Sequence, residues 1–138
     1  MARIWSDEGK LARWLDVELA ALEGWAETGT IPADAVAEIA AKAEAPSPQR
    51  VAEIEERTHH DVAAFVDAVA SELGPAGRWF HYGLTSSDVV DTALALQIRE
   101  SRKRLLDGCL TLGAVHLVQV DVIGSQAAEA VFNRAHDP

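Results

Sequence analysis

His81-Tyr82-Gly83-Leu84-Thr85-Ser86-Ser87-Asp88-Val89-Val90-Asp91-Thr92-Ala93 is the stretch on which the reading of this chain turns. Thr85-Ser86-Ser87-Asp88 has the form of a capping box, with Asp in place of the usual Glu: the first hydroxyl accepts from the third helical N–H and the acidic side chain reaches back. The box predicts the start of a long helix carrying Val89, Val90, Ala93, Leu94, Ile98 and Leu105. Three consecutive hydroxyl residues at a helix start can equally present donors, beside free backbone N–H groups, to a carboxylate or phosphate. Gly83 would let the backbone approach such a ligand closely. On the residues alone, capping and ligand binding both stand.

Upstream of this box the sequence reads as helix after helix. Ser6 is placed to cap a first helix whose Leu11, Trp14, Leu15, Leu19, Leu22 and Trp25 recur every three or four residues and draw one apolar stripe. Trp14 and Trp25 lie on that stripe and are expected in the core, whereas Trp5 is placed to staple the start of the helix. Gly29-Thr30-Ile31-Pro32 ends the helix, and Pro32 is suited to begin the next, through Ala35, Val36, Ile39 and Ala43. Ser47 can cap a short helix from Pro48 that carries Val51 and Ile54. After Thr58-His59-His60-Asp61 the pattern resumes with Val62, Phe65, Val66, Val69 and Leu73, and Gly74-Pro75-Ala76-Gly77 reads as a stop. Trp79 is expected beside the His81–Asp88 stretch, and Arg99, Arg102, Lys103 and Arg104 on a solvated face. Residues 1 to about 107 are therefore predicted to be all-α. Ala114–Gly124, rich in β-branched residues and loosely alternating, reads as a strand, and the shift in composition near Gly113 is a candidate boundary.

Composition narrows the functional classes. The chain has 138 residues, of which 49% are hydrophobic and 25% charged, which suits a soluble folded protein with a core of its own. A formal net charge of -10 disfavours broad binding to nucleic-acid phosphates. No apolar run reaches membrane-spanning length, so no membrane partner is expected, and Asp7 and Glu8 interrupt the opening before any apolar signal region develops. The one cysteine, Cys109, cannot form an internal disulfide, which fits a reducing compartment.

Thr58-His59-His60-Asp61 is the second cluster that could carry chemistry. Histidine trades protons near neutral pH and, when protonated, donates to anions, while a helix start adds N–H groups and positive potential. The plainer reading is a cap by Thr58 or Asp61 with surface histidines, and composition alone favours it. Adjacent histidines point in different directions from a helix, so no metal site is expected.

With His60-Asp61-Val62 ahead of an apolar helix, followed by the string from His81 to Ala93, the sequence resembles the adenylosuccinate lyases of the fumarase/aspartase superfamily. Ile4-Trp5-Ser6-Asp7-Glu8 and Trp14-Leu15-Asp16-Val17-Glu18 fit the same family, and the similarity covers about residues 3 to 112. The resemblance implies an all-α fold: a small helical N-terminal domain (residues 1–84), then the first long helix of a central bundle (85–112), with 113–138 an atypical tail. It implies elimination of fumarate from adenylosuccinate, leaving AMP, and from the related succinyl-carboxamide ribotide, in purine nucleotide biosynthesis. A base removes a proton beside a carboxylate and an acid protonates the departing nitrogen, with no metal or organic cofactor. It also implies a cytoplasmic homo-oligomer, a tetramer whose sites draw on three subunits. Carried over by position, His60 assists acid catalysis at the substrate, Asp61 helps hold substrate and histidine, and Thr85 and Ser86 grip a substrate carboxylate. His81 falls near the ligand.

The sequence departs from that family in three places. His59, counted among the substrate-binding positions, stands where the family usually has arginine, a longer and permanently charged side chain. The family's arginine-tyrosine nucleotide contact would precede Met1. Its glycine-arginine-threonine-histidine segment and serine-rich mobile loop, which carry the principal acid and the base, have no counterpart here, and His116 and His136 lie outside the expected motifs. The expectation is therefore a truncated lyase with no turnover of its own and a tail that is out of frame or foreign to the fold. A non-catalytic helical module for oligomerisation or binding is the second expectation.

Overall fold

The computed structural model describes residues 2–111, with side chains through residue 108, and every regular element among them is helical. Helix α1 runs Asp7–Glu27 and begins where Ser6 Oγ accepts from the Gly9 N–H at 3.2 Å, with Asp7 and Glu8 complementing the positive end of its dipole. Its buried face holds Leu11, Trp14, Leu15, Val17, Glu18 and Leu22. Helix α2, Ala33–Lys42, has Pro32 as its cap residue rather than as its first helical residue, and Ala43 lies just past its end. Helix α3, Pro48–Thr58, opens with Ser47 Oγ accepting from Arg50 N at 3.2 Å and Pro48 in the first turn, as its sequence predicts. Helix α4, Asp61–Ala70, follows after only His59 and His60, and the two helices pack side by side. Phe65, fully buried, stands edge-on to Trp14 of α1 at 5.4 Å and tilted against Phe80 at 6.1 Å, which ties α1, α4 and the loop after α4 into one core.

Two sequence expectations are corrected within this core. Trp5 does not staple the first helix: it is 51% exposed, while Ile4 is 4% exposed. Residues Ala2–Trp5 form a 3-10 turn, which rotates successive side chains by about 120°, so that turning Ile4 inward turns Trp5 outward. The Gly74-Pro75-Ala76-Gly77 stretch is not simply a stop, because Gly74–Trp79 continues as a second 3-10 turn. Pro75 supplies the φ such a turn needs, and Ala76 and Gly77 are buried by it. Helix α4 has ended before Leu73, whose side chain is nonetheless 1% exposed.

Helix α5, Ser86–Thr111, is about 39 Å long at 1.5 Å per residue. Val89, Ala93, Gln97 and Ser101 are buried at successive steps of four, and Gln97 Nε2 donates to the Ile4 carbonyl at 2.5 Å. Leu94, Ile98 and Leu105 are 44%, 54% and 56% exposed, so the apolar residues of this helix divide between two faces instead of forming one stripe. Arg13 joins α1 to Glu100 at 3.0 Å, and Glu100 also receives Arg104 at 2.7 Å. Arg99, Arg102, Lys103 and Arg104 are exposed, as expected. No described helix is long and apolar enough to cross a membrane. The strand expected over Ala114–Gly124 and the boundary near Gly113 lie outside the described residues.

Candidate functional site

The two clusters singled out by sequence meet in space. His60 is the N-cap of α4, in extended backbone (φ -154°, ψ 118°), and its Nδ1 faces the Ala63 N–H at 3.4 Å. The cap is therefore the histidine itself, not Thr58 or Asp61. Thr58 Oγ1 donates to the His60 carbonyl at 3.2 Å, and Asp61 Oδ1 accepts from Val62 N at 2.7 Å. With Nδ1 accepting, the neutral ring carries its proton on Nε2, and Nε2 lies 3.4 Å from Ser86 Oγ. His60, Asp61 and Thr85 are exposed and Ser86 is half-buried, so the meeting point is an open face rather than a closed cavity. His59 also lies on the surface, as the left-handed residue that ends α3 (φ 52°).

The capping box predicted at Thr85 forms. Thr85 Oγ1 accepts from Asp88 N at 3.4 Å, while Thr85 N and Oγ1 donate to Asp88 Oδ2 at 2.7 and 2.8 Å. These bonds from the Thr85 backbone and hydroxyl, with a smaller contribution from the His81 charge, hold the Asp88 carboxyl below the ordinary aspartate range. The Thr85 donors are thus engaged within the box. Ser86, whose hydroxyl faces His60, is the member of the hydroxyl run that joins the two clusters.

Sequence reasoning missed the strongest polar contact of this region. Glu18 is fully buried on α1, and its carboxylate accepts from the His81 N–H at 3.1 Å through Oε2 and meets His81 Nδ1 at 2.6 Å through Oε1. Burial raises the Glu18 carboxyl above the ordinary glutamate range, opposed by the hydrogen bonds and charge of His81. The signal was present: position 18 falls on the apolar stripe of α1, between Leu15 and Leu22, where a glutamate needs a buried partner. The loop after His81 is fastened to the same helix. Trp25 Nε1 donates to the Tyr82 carbonyl at 2.9 Å, and Trp25 and Tyr82 rings meet edge-on at 5.7 Å. Gly83 has φ 72°, and a Cβ there would fall 2.8 Å from Trp25 Cζ2, so both the backbone conformation and the packing call for glycine. Trp79 packs on Tyr82 at 5.8 Å, which sets it beside the His81–Asp88 stretch as expected.

The sequence and the helical fold are similar to those of known enzymes. The chain belongs to the lyase family, which it matches over residues 1–118. It is 55% identical over 107 residues to an adenylosuccinate lyase of Synechocystis sp., covering 78% of this chain and 25% of that protein. It is 46% identical over 115 residues to the adenylosuccinate lyase of Streptococcus mutans, covering 81% of this chain and 26% of that one. The crystal structure of a fumarate lyase from Mesorhizobium sp. BNC1 superposes with a TM-score of 0.67 at 32% identity, over 72% of this chain and 24% of that chain. The chain thus spans about a quarter of the length of the curated relatives it matches.

Proposed function

We propose that this chain supplies the His60 and Ser86 portion of an adenylosuccinate lyase site, acting in the cytoplasm on adenylosuccinate and the related succinyl-carboxamide ribotide. The observation that carries the reading is the 3.4 Å approach of His60 Nε2 to Ser86 Oγ, which joins two motifs distant in sequence on one open surface. In this reading Ser86 holds a carboxylate of the succinyl group, helped by the N–H groups at the start of α5, and Thr85 joins it by turning its donors from Asp88 to the ligand. His60, with its proton on Nε2, donates toward the departing nitrogen, and Asp61 holds the histidine side of the site. His59 contributes a shorter, titratable contact where the relatives' usual arginine would be charged throughout.

The exposure of the site suits one wall of a shared pocket. Leu94, Ile98 and Leu105, exposed along α5, suit assembly with further helices, so residues 1–84 serve as an N-terminal helical domain and α5 as a first bundle helix. Elimination also needs a positioned base, and the family's base-bearing loop has no counterpart in these 138 residues. The chain alone is therefore expected to release no fumarate. The deciding experiment mixes it with a full-length lyase disabled in its His60-equivalent segment and follows fumarate release by absorbance. Turnover restored only in the mixture supports the reading; turnover by the chain alone, or none in the mixture despite co-assembly, counts against it.

A further inference from the structure

We propose that the groove between α3 and the Gly74–Trp79 turn is an anion site, in which Arg50, Arg57 and Arg78 hold the phosphate groups of a small phosphorylated ligand. The groove lies toward the far end of α4 from His60, a helix about 15 Å long at 1.5 Å per residue, and the proposal does not rest on the function given above.

Charge is the first reason. The groove has a volume of about 500 Å³, within the range of small-molecule sites. Three arginines line it against one carboxylate, that of Asp67, on a chain whose formal net charge is -10. Neighbouring acids leave that positive charge largely available. Asp67 meets Arg57 only at 3.8 Å, with both side chains more than half exposed. Arg50 reaches Glu53, a residue of its own helix outside the groove, at 3.5 Å, and both are again more than half exposed. Such surface pairs are weak and yield to a better partner. Arg78 pairs with no carboxylate among the described residues; its guanidinium lies over the Trp79 ring, 4.8 Å from the centroid.

The second reason is how the arginines are presented. Arg50, Ile54 and Arg57 recur at steps of four and three, so α3 turns one face to the groove. Arg50 sits in the first turn of α3, where no acidic residue accompanies it. A cation at that end opposes the helix dipole, whereas an anion beside it is favoured by the dipole and the arginine together. Across the groove Gly74 and Gly77 bring only backbone, which leaves room for a ligand. At Gly77 this is obligatory, because a Cβ would fall 2.5 Å from the Ala70 carbonyl oxygen. The Trp79 ring steadies Arg78 without using its N–H donors. Planar guanidinium groups meet phosphate oxygens two at a time, which suits a phosphate better than any other common anion except a carboxylate.

The test is an NMR titration of the 15N-labelled 138-residue chain with inorganic phosphate, pyrophosphate and ADP as separate probes at fixed ionic strength. The amides of residues 70–78 are expected to move, and at lower concentrations of pyrophosphate than of phosphate. Tighter binding of ADP than of pyrophosphate supports the site and assigns it to a nucleotide; weaker binding supports it and assigns it to a free phosphate compound. Arg57→Gln and Arg78→Gln should each weaken pyrophosphate binding about tenfold. Arg78→Lys, which keeps the charge and loses the fork, should weaken it as well. These side chains are exposed, so the variants should melt with the wild type. Arg99→Gln, on the solvated face of α5, should leave binding unchanged. No movement in residues 70–78 with any probe overturns the proposal, as does an equal loss in Arg99→Gln, which would reduce the effect to overall charge. Tighter binding of a hexaglutamate peptide than of pyrophosphate overturns it in favour of an acidic protein segment. Movement confined to residues 60 and 85–88 overturns it too, and supports the His60 and Ser86 site instead.

Discussion

His60 Nε2 stands 3.4 Å from Ser86 Oγ, a contact between side chains separated by 26 positions in the chain. Each residue sits in the first turn or cap of its own helix, so the contact joins two helix starts that both have N–H groups to offer. Ser86 makes no capping bond that its helix depends on, because Thr85 performs that task. Ser86→Ala should therefore change stability by no more than about 0.5 kcal/mol, while weakening fumarate binding about tenfold. Thermal melts beside an NMR titration check this pair of outcomes; a large loss of stability would make Ser86 a structural residue instead.

Thr85→Ala removes the hydroxyl that caps α5 and should cost about 1 kcal/mol. It should also alter the acid response. Asp88 has a depressed carboxyl in the folded state, so its contribution to stability is present above the ordinary aspartate value and is lost as pH falls through the depressed value. With one of the two bonds from Thr85 gone, that acid-side loss should be smaller, beginning at the same ordinary aspartate value but complete at a higher pH. Melting curves of both proteins between pH 2 and 6, about the span of carboxylate titration, measure it.

Glu18 should act in the opposite direction. Its carboxyl is raised, so the folded state holds a proton where the unfolded chain has released it. The Glu18 contribution to stability therefore declines as pH rises from the ordinary glutamate value through the raised one. Glu18→Gln should abolish this decline, so that the variant gains on the wild type across that window. His81→Ala should do the reverse and cost about 3–5 kcal/mol near neutral pH, because it strands a buried carboxylate. Urea unfolding of the two single variants and the double variant checks the coupling; additive losses would refute it.

His59 ends α3 at φ 52°, a backbone conformation that favours glycine. His59→Gly should gain about 0.5–1 kcal/mol, the relief of the left-handed strain less the added freedom of the unfolded chain. If His59 also touches the ligand, the same variant should bind AMP or fumarate more weakly while melting higher. Calorimetry and titration on one preparation separate the two effects.

The sequence by itself determined a great deal here, because its information was local. The caps at Ser6, Ser47 and Thr85 and the apolar spacing of α1 depend on residues three or four apart, and those distances are set by helix geometry. The resemblance carried by His60-Asp61-Val62 and the string from His81 to Ala93 was legible for the same reason, and it pointed to the family the chain belongs to. Trp5, the Gly74–Trp79 turn and the two faces of α5 were not legible, since each depends on which side of an element meets its neighbours. Only the tertiary structure set His60 against Ser86 and Glu18 against His81. The Glu18 pair spans 63 positions, and a buried carboxylate finds its partner through packing, which no periodicity in a single helix encodes.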